Sequence, residues 1–400
     1  MMRKTACNDF RNAPVFLVDT IGKDTLSSSC KSEFQRIRRL HFRALFSYTG
    51  DHLFMGIVSA LLLVIGLVLI AWVGVQGFGL AYLFGVLIPY TAMIIFFLGV
   101  LARLFKWARI PNPFVIPTTG GQQKSLSWIK PARIDNPFTR GQALARLFSE
   151  VFLFRSLFRN LSPRVALARK NGQQPGLTFA SAKWLWLFAI LFHYAMFTTV
   201  FRHLRFFTNP VPWPVKMAEA LDGWLEVGIP EILVSGLVLL MAVSLLLARR
   251  LLMPRLRYIS LLNDYFPLFL LMGIAGTGAL MRYIVGIDAG GAKQLAMGLI
   301  SLKPVIPQGI GPLFFIHLFL VCTLLAYFPF SKLMHAGGIF FSPTRTMPNN
   351  SRAVYHENPW NYPVKFHTYQ AYETEFHDKM MEAGIPLDPA APPLNGKDDL

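Results

Sequence analysis

Long uncharged apolar runs, separated by basic or balanced connections, dominate the chain, and six of them are long enough to cross a bilayer. They cover residues 53–75, 78–102, 184–207, 229–248, 265–283 and 311–330. A helix rises ~1.5 Å per residue, so roughly 20 apolar residues span the ~30 Å hydrocarbon layer. The pattern predicts an all-α integral membrane protein with six transmembrane helices. Between the second and third runs, Leu144, Leu147, Phe148, Val151, Phe154 and Phe158 recur at helical spacing with arginines among them. This segment reads as an amphipathic helix in the headgroup layer with basic residues on anionic lipid, and also as a docking face for a cytoplasmic subunit. After residue 330, clustered Pro, Asn and aromatic residues with weak alternation predict an extended tail packed on a partner and ending in one short helix.

Charge orients these elements. The 400 residues are 54% hydrophobic and 15% charged, with a net charge of +18. A soluble domain carries about a quarter charged residues. Lys and Arg flank the apolar runs instead of forming one basic surface, so the charge reads as membrane topology and not as a nucleic-acid footprint. Residues 31–43 carry five basic residues and one acid, and 103–183 carry fourteen Lys or Arg against two acids, whereas 202–228 and 284–310 are nearly balanced. The positive-inside rule then places both termini and the long loop in the cytoplasm, with the spans in the cell inner membrane. The region before the first run lacks the short apolar core of a cleavable signal, so that run is expected to remain as an anchor. The expected layout is a cytoplasmic extension 1–50, two spans in 51–108, a basic loop 109–183, a four-helix core 184–335 and a cytoplasmic tail 336–400. No internal repeat is visible, which counts against a transporter. The three cysteines, Cys7, Cys30 and Cys322, form no CxxC or CxxCH, so the chain alone holds neither a four-cysteine iron–sulfur cluster nor a c-type haem.

Against this apolar background four histidines stand out: His193 and His203 on the third run, His317 and His335 on or just after the sixth. An imidazole inside a span is costly without a partner. The third run leads outward and the sixth inward, so antiparallel packing pairs His203 with His317 on the outer side and His193 with His335 on the inner side. Two neutral imidazoles are the axial ligands of a six-coordinate electron-transfer haem. The spacings are ten and eighteen residues, or ~15 Å and ~27 Å of helix, so tilt, a bend at Pro329 or an exit of His335 beyond the regular helix is required. His52 is an alternative inner ligand. His41, His356, His367 and His377 lie outside the runs and read as solvent or interface residues, and Cys322 reads as packing. Arg202 and Arg205 flank His203, where haem carboxylates need counter-charges; snorkelling to the outer surface is their other reading. Arg282, at the outer end of the fifth run, has the same two readings and is also placed to polarise a quinone carbonyl.

With these residues in place, FHYAMFTTVFRH and IHLFLVCTLLAYFPFSKLMH resemble the gamma-subunit family of respiratory nitrate reductase, which are di-haem b membrane cytochromes. The strings IPTTGGQQKSL, FRSLFRN, RYISLLNDYFPLFL, YFPFSKLMHAGGIFFSPTR and HENPWNYPVKFHTYQAYE extend the likeness from about the second run to near the C-terminus. They resemble the DsrM family, the haem b subunits of the membrane complex that accompanies dissimilatory sulfite reductase. The resemblance implies two haems b, with menaquinol as electron donor. It also implies a cytoplasmic iron–sulfur subunit (DsrK-like) acting on the trisulfide or disulfide of the carrier DsrC, a periplasmic cytochrome c, a periplasmic ferredoxin-like subunit and a second membrane subunit (DsrP-like). The catalytic thiol site would lie on another subunit, leaving this chain with no catalytic residue of its own. The competing readings are a quinone-linked haem subunit serving nitrate or heterodisulfide reduction, and a non-haem membrane scaffold or transporter whose histidines bind metal or protons.

Overall fold

The computed structural model describes residues 55–110, 121–166, 176–223, 233–351, 353–354 and 368–388. His41, His52, His356 and His367, the N-terminal extension and Cys7 and Cys30 fall outside them. Six helices are long and apolar enough to cross a membrane: Met55–Gln76, Leu83–Ala108, Lys183–Phe206, Val234–Leu252, Leu262–Val285 and Pro312–Phe330. This is an all-α, multi-pass membrane protein. The second span runs past the expected end at 102, because the helix continues through Arg103 and Lys106 to Ala108. The fourth begins at Val234, with 229–232 outside the described residues.

Spans three to six form an arc in which each packs on the next, and the second span closes onto the far side of the sixth. The first span lies behind this arc. Its Val64 and Ala71 join Phe84, Leu270, Phe315 and Leu320 in one core cluster, and its Ala60 meets Leu247 and Tyr265 in another. A third cluster locks span three to span four through Phe192, Ala195, Leu239, Ala242 and Val243. Lipid is as apolar as these side chains, so association depends on close packing, which small residues such as Ala60, Ala71 and Ala242 permit. Spans three and six, which carry the four histidines, are not packed neighbours in this arc.

One face of the bundle is basic and carries a polar cap. The cap helix Arg140–Leu153 begins at Thr139, whose side chain accepts from the Gln142 N–H at 3.3 Å. It is amphipathic, as expected, but its inner side is polar: Arg146 and Glu150 are buried while Leu144, Phe148 and Phe152 are exposed. A single helical turn, Arg155–Phe158, follows, after which the chain leaves the helical pattern for an antiparallel hairpin, Leu161–Ala166 with Gly176–Ser181. Pro163 lies in that first strand and would interrupt any continuing helix. The segment after the sixth span folds onto this cap. Arg345 pairs with Glu150 at 2.6 Å, and the Asn349 side-chain amide donates to Asn136 Oδ1 at 2.8 Å. Further on, Tyr369–Glu382 forms a helix of 14 residues, where one short terminal helix was expected.

Asp135 anchors the cap's first turn to Arg155 and Arg159. Burial alone would raise its carboxyl, but the hydrogen bonds and charges of the two arginines outweigh that and hold it below the usual carboxylate range. A depressed carboxylate contributes stability that is complete above its unfolded value of about 3.9 and is lost as pH falls through the lower folded value. Asp135→Asn should therefore loosen residues 135–159 at neutral pH, as the native chain should loosen only below about pH 4. Limited proteolysis of the bilayer-embedded protein checks this, and equal resistance of both proteins at pH 7 would contradict it.

Candidate functional site: the histidines of spans three and six

The geometry of the two histidines of span three follows from helix bonding. His193 Nδ1 lies 2.7 Å from the Ala189 carbonyl and His203 Nδ1 lies 2.7 Å from the Thr199 carbonyl, in each case one turn back. A carbonyl oxygen only accepts, so both Nδ1 atoms carry the proton and both Nε2 atoms keep a free lone pair. His335 repeats the pattern, with Nδ1 at 2.9 Å from the Lys332 carbonyl. His317 reaches the same state through Thr277. That hydroxyl spends its one hydrogen on the carbonyls of Gly273, at 2.7 Å, and Ile274, at 3.0 Å. It therefore accepts from His317 Nδ1 at 2.9 Å. Such second bonds orient an imidazole for metal binding through Nε2.

On the basic face, the rings of His193 and His335 stand 5.9 Å apart between centroids, with planes at 85°. Two metal–imidazole bonds of about 2 Å each, plus the ring radii, come to about 6 Å. The unequal sequence spacings are resolved by a break. The sixth helix is regular only over Pro312–Tyr327. The turns Phe328–Phe330 and Lys332–Met334 follow, separated by extended Ser331 (φ −108°, ψ 177°). The chain thus leaves the helical path after Phe330 and brings His335 beside His193. On the far face, His203 stands within electrostatic range of His317. Gly278 opens space beside it, because a Cβ there would lie 3.4 Å from His317 Cε1. None of the four rings is sealed in the core: His193 and His317 are half-buried, His203 and His335 exposed. Among the described residues no group of three or more His, Cys, Asp or Glu side chains could hold a metal ion. Two adjacent imidazoles without further protein ligands, as in His193 and His335, suit a metal whose remaining ligands come from a cofactor.

The family model described as nitrate reductase gamma subunit matches residues 176–354, the stretch that contains all four histidines. A protein of Archaeoglobus fulgidus, described as an Hdr-like menaquinol oxidoreductase cytochrome b-like subunit, is 44% identical over 286 residues, covering 70% of this chain and 83% of its own. A protein of Archaeoglobus profundus with the same description is 43% identical over 281 residues, covering 68% of this chain and 81% of its own. The chain belongs to this family of cytochrome b-like membrane subunits.

In this family member the arginines beside His203 have protein partners. Arg202 pairs with Asp222 of the short helix Trp213–Asp222 and donates to Ser235 Oγ at 2.9 Å, while Arg205 pairs with Glu219 at 2.9 Å. Asp222 also accepts from the Ser235 N–H at 2.7 Å and its hydroxyl at 2.6 Å. Both arginines therefore strap this helix across the far end of span three. Arg202 Nε remains buried with no partner, which leaves one donor for a cofactor carboxylate. The Arg202 and Asp222 side chains are only 12% and 6% exposed. Removing one member of a buried pair strands the other charge at a cost of roughly 3–5 kcal/mol. Asp222→Ala should lower the thermal unfolding midpoint in detergent markedly while Glu219→Ala changes it little, and equal effects would contradict the burial argument.

Arg282 is exposed on the π-helical turn Met281–Val285 at the far end of span five. His377 sits on the Tyr369–Glu382 helix, outside the two pairs, and Cys322 is buried in the packing of span six.

The structure adds residues that sequence reading passed over. Phe154, at the left-handed break (φ 49°) after the cap helix, sets its ring edge-on to His193 at 5.0 Å. Trp186 and Tyr194 donate to the Leu153 and Phe152 carbonyls at 2.8 Å and 3.0 Å, fixing the end of the cap helix to span three on either side of His193. Lys332 holds His335 through its carbonyl and Asp264 through its amine at 2.7 Å, so the returning turn is tied to the start of span five. Thr277 carried one sequence signal, a hydroxyl in the apolar string GIAGTGAL.

Proposed function

We propose that the chain is a di-haem b electron-transfer subunit of a menaquinol-linked oxidoreductase. His193 and His335 would be the axial ligands of one haem, and His203 and His317 those of the other. The observation that carries this reading is the pair of imidazoles 5.9 Å apart, each with Nδ1 bonded to a carbonyl and Nε2 free. Haem b at the two positions supplies one-electron carriage between the membrane faces. The chain's own residues hold and insulate. The i−4 carbonyls and Thr277 fix ring orientation, Phe154 and Phe192 wall the basic-face pair with aromatic edges, and the Arg202–Asp222 strap closes the far end.

By the positive-inside rule the basic face is cytoplasmic, so menaquinol would be oxidised near the far-face pair, with Arg282 in the quinone's vicinity and protons released outside. The cap, built from residues 121–158 and 331–349, offers the docking face for a cytoplasmic iron–sulfur subunit. The string likeness to the DsrM family points to a DsrK-like partner acting on the DsrC trisulfide or disulfide, with DsrP-like, cytochrome c and ferredoxin-like subunits completing the complex. Affinity purification from native membranes, with a menaquinol analogue as reductant, tests both halves. The reading predicts quinol-reducible b-type bands and recovery of a DsrK-like iron–sulfur subunit. Recovery of nitrate reductase catalytic subunits would replace the partner assignment, and absence of b-type bands would remove the cytochrome reading.

A further inference from the structure

The second span lies outside residues 176–354, yet it packs on the segment that carries His335. Gly99, Arg103 and Trp107 recur every four residues, so they share one helix face. At one end of this strip a Cβ on Gly99 would lie 2.7 Å from Pro329 Cβ, so the bare glycine is the seat of the proline that ends span six. At the other end Trp107 lies against Gly338, 3.4 Å from where its Cβ would stand, and its ring packs on Phe341 at 6.0 Å. These two contacts bracket the segment that carries His335. Arg103 lies between them.

We infer that Arg103 binds a carboxylate of the haem held by His193 and His335, an inference that rests on the di-haem reading above. A guanidinium within a membrane span is costly and calls for an anionic partner. Several other arginines of the bundle and its cap have one: Arg155, Arg159, Arg202, Arg205, Arg250 and Arg345 pair with carboxylates. Among the described residues Arg103 forms no ion pair. Its guanidinium lies 5.6 Å from the Trp107 ring centre and its Nε is buried without a hydrogen-bond partner. Haem b carries two carboxylates, and the planar guanidinium fork matches a carboxylate in bidentate fashion. A lipid phosphate is the other anion within reach of this membrane face. The buried Nε and the Trp107 contact hold the group within the protein, which favours the cofactor.

The test uses the purified full-length holoprotein. Replacing Arg103 by Gln removes a positive charge beside the basic-face haem and favours its ferric form. Redox titration should show one component shifted to lower potential, by about tenfold in its reduced-to-oxidised ratio at fixed poise, or about 59 mV for one electron. The far-face component should stay in place, and Arg103→Lys should restore most of the shift. Unchanged potentials for both haems, with or without a loss of bound anionic lipid, would overturn the assignment. A second measurement needs no altered fold: apoprotein is refilled with haem whose carboxylates are esterified. The wild-type chain should bind the diester more weakly than haem at the basic-face site, and equal binding would overturn the inference. Wild-type protein with no b-type haem would instead defeat the di-haem reading itself.

Discussion

Alanine in place of His335 is expected to remove one of two b-type haems and leave the other. His335 sits on the short helix His335–Gly338 after the broken end of span six, with its Nδ1 bonded to the Lys332 carbonyl and its ring beside that of His193. On the di-haem reading, its loss would leave the basic-face iron without one of its two imidazoles, while His203 and His317, more than a turn away along both spans, would be untouched. Reduced-minus-oxidised spectra of purified protein should lose about half of their b-type amplitude, with full transfer of electrons from quinol to the cytoplasmic acceptor abolished. His193→Ala should give the same remaining component. If either substitution instead emptied both positions, or if each left a different component, the pairing of His193 with His335 would be contradicted. The near-perpendicular rings, at 85°, add a signature: the ferric basic-face haem should give a highly anisotropic low-spin resonance that disappears in both variants.

Gly99→Leu should have nearly as large an effect although it lies far from the histidines in sequence. Pro329 occupies the place that the new side chain needs, with its ring atoms 2.7 Å and 2.8 Å from a Cβ at this position, and neither proline nor helix backbone has a rotamer through which to yield. Overpacking of this kind costs roughly 1–3 kcal/mol. Here it is expected to push the turn Phe328–Phe330 away from span two and carry His335 out of line with His193. The protein should insert and keep the far-face haem while the occupancy of the basic-face haem falls. Gly66, whose Cβ would meet nothing within 4 Å, provides the matched control in span one. Full occupancy of both positions in Gly99→Leu would show that span two does not set the ligand's position.

Much of this arrangement is legible in the sequence, for physical reasons that also mark its limits. Apolar length and flanking charge give the six spans, because a bilayer imposes a fixed thickness and a sign preference on any chain that crosses it. The same constraints make an imidazole in a span conspicuous, and the alternation of direction is the basis for expecting His335 beside His193, the two rings that stand 5.9 Å apart. What local pattern could not provide is the path of the chain where a helix stops. The double break at Pro329 and Ser331 depends on Gly99 beneath it and on Lys332 reaching Asp264, contacts separated by long stretches of sequence. Arg202 and Arg205 read as counter-charges for a cofactor because their carboxylate partners, Asp222 and Glu219, lie in a connection that folds back only in three dimensions. The charge of Arg103 placed the expected end of span two at 102 and hid its place on the strip facing His335. The cap helix was visible as amphipathic, but which side faces the protein was set by Glu150 and its tertiary partner Arg345.

Haem quantification in the purified, full-length chain, read together with its ferric resonance spectrum, tests the central claim most directly. The paired imidazoles predict two haems b per polypeptide, both low-spin because two imidazole nitrogens would complete six-coordination with the four porphyrin nitrogens. A folded chain that purifies with no haem, or with a single haem that survives replacement of His335 and of His317 alike, would contradict the account.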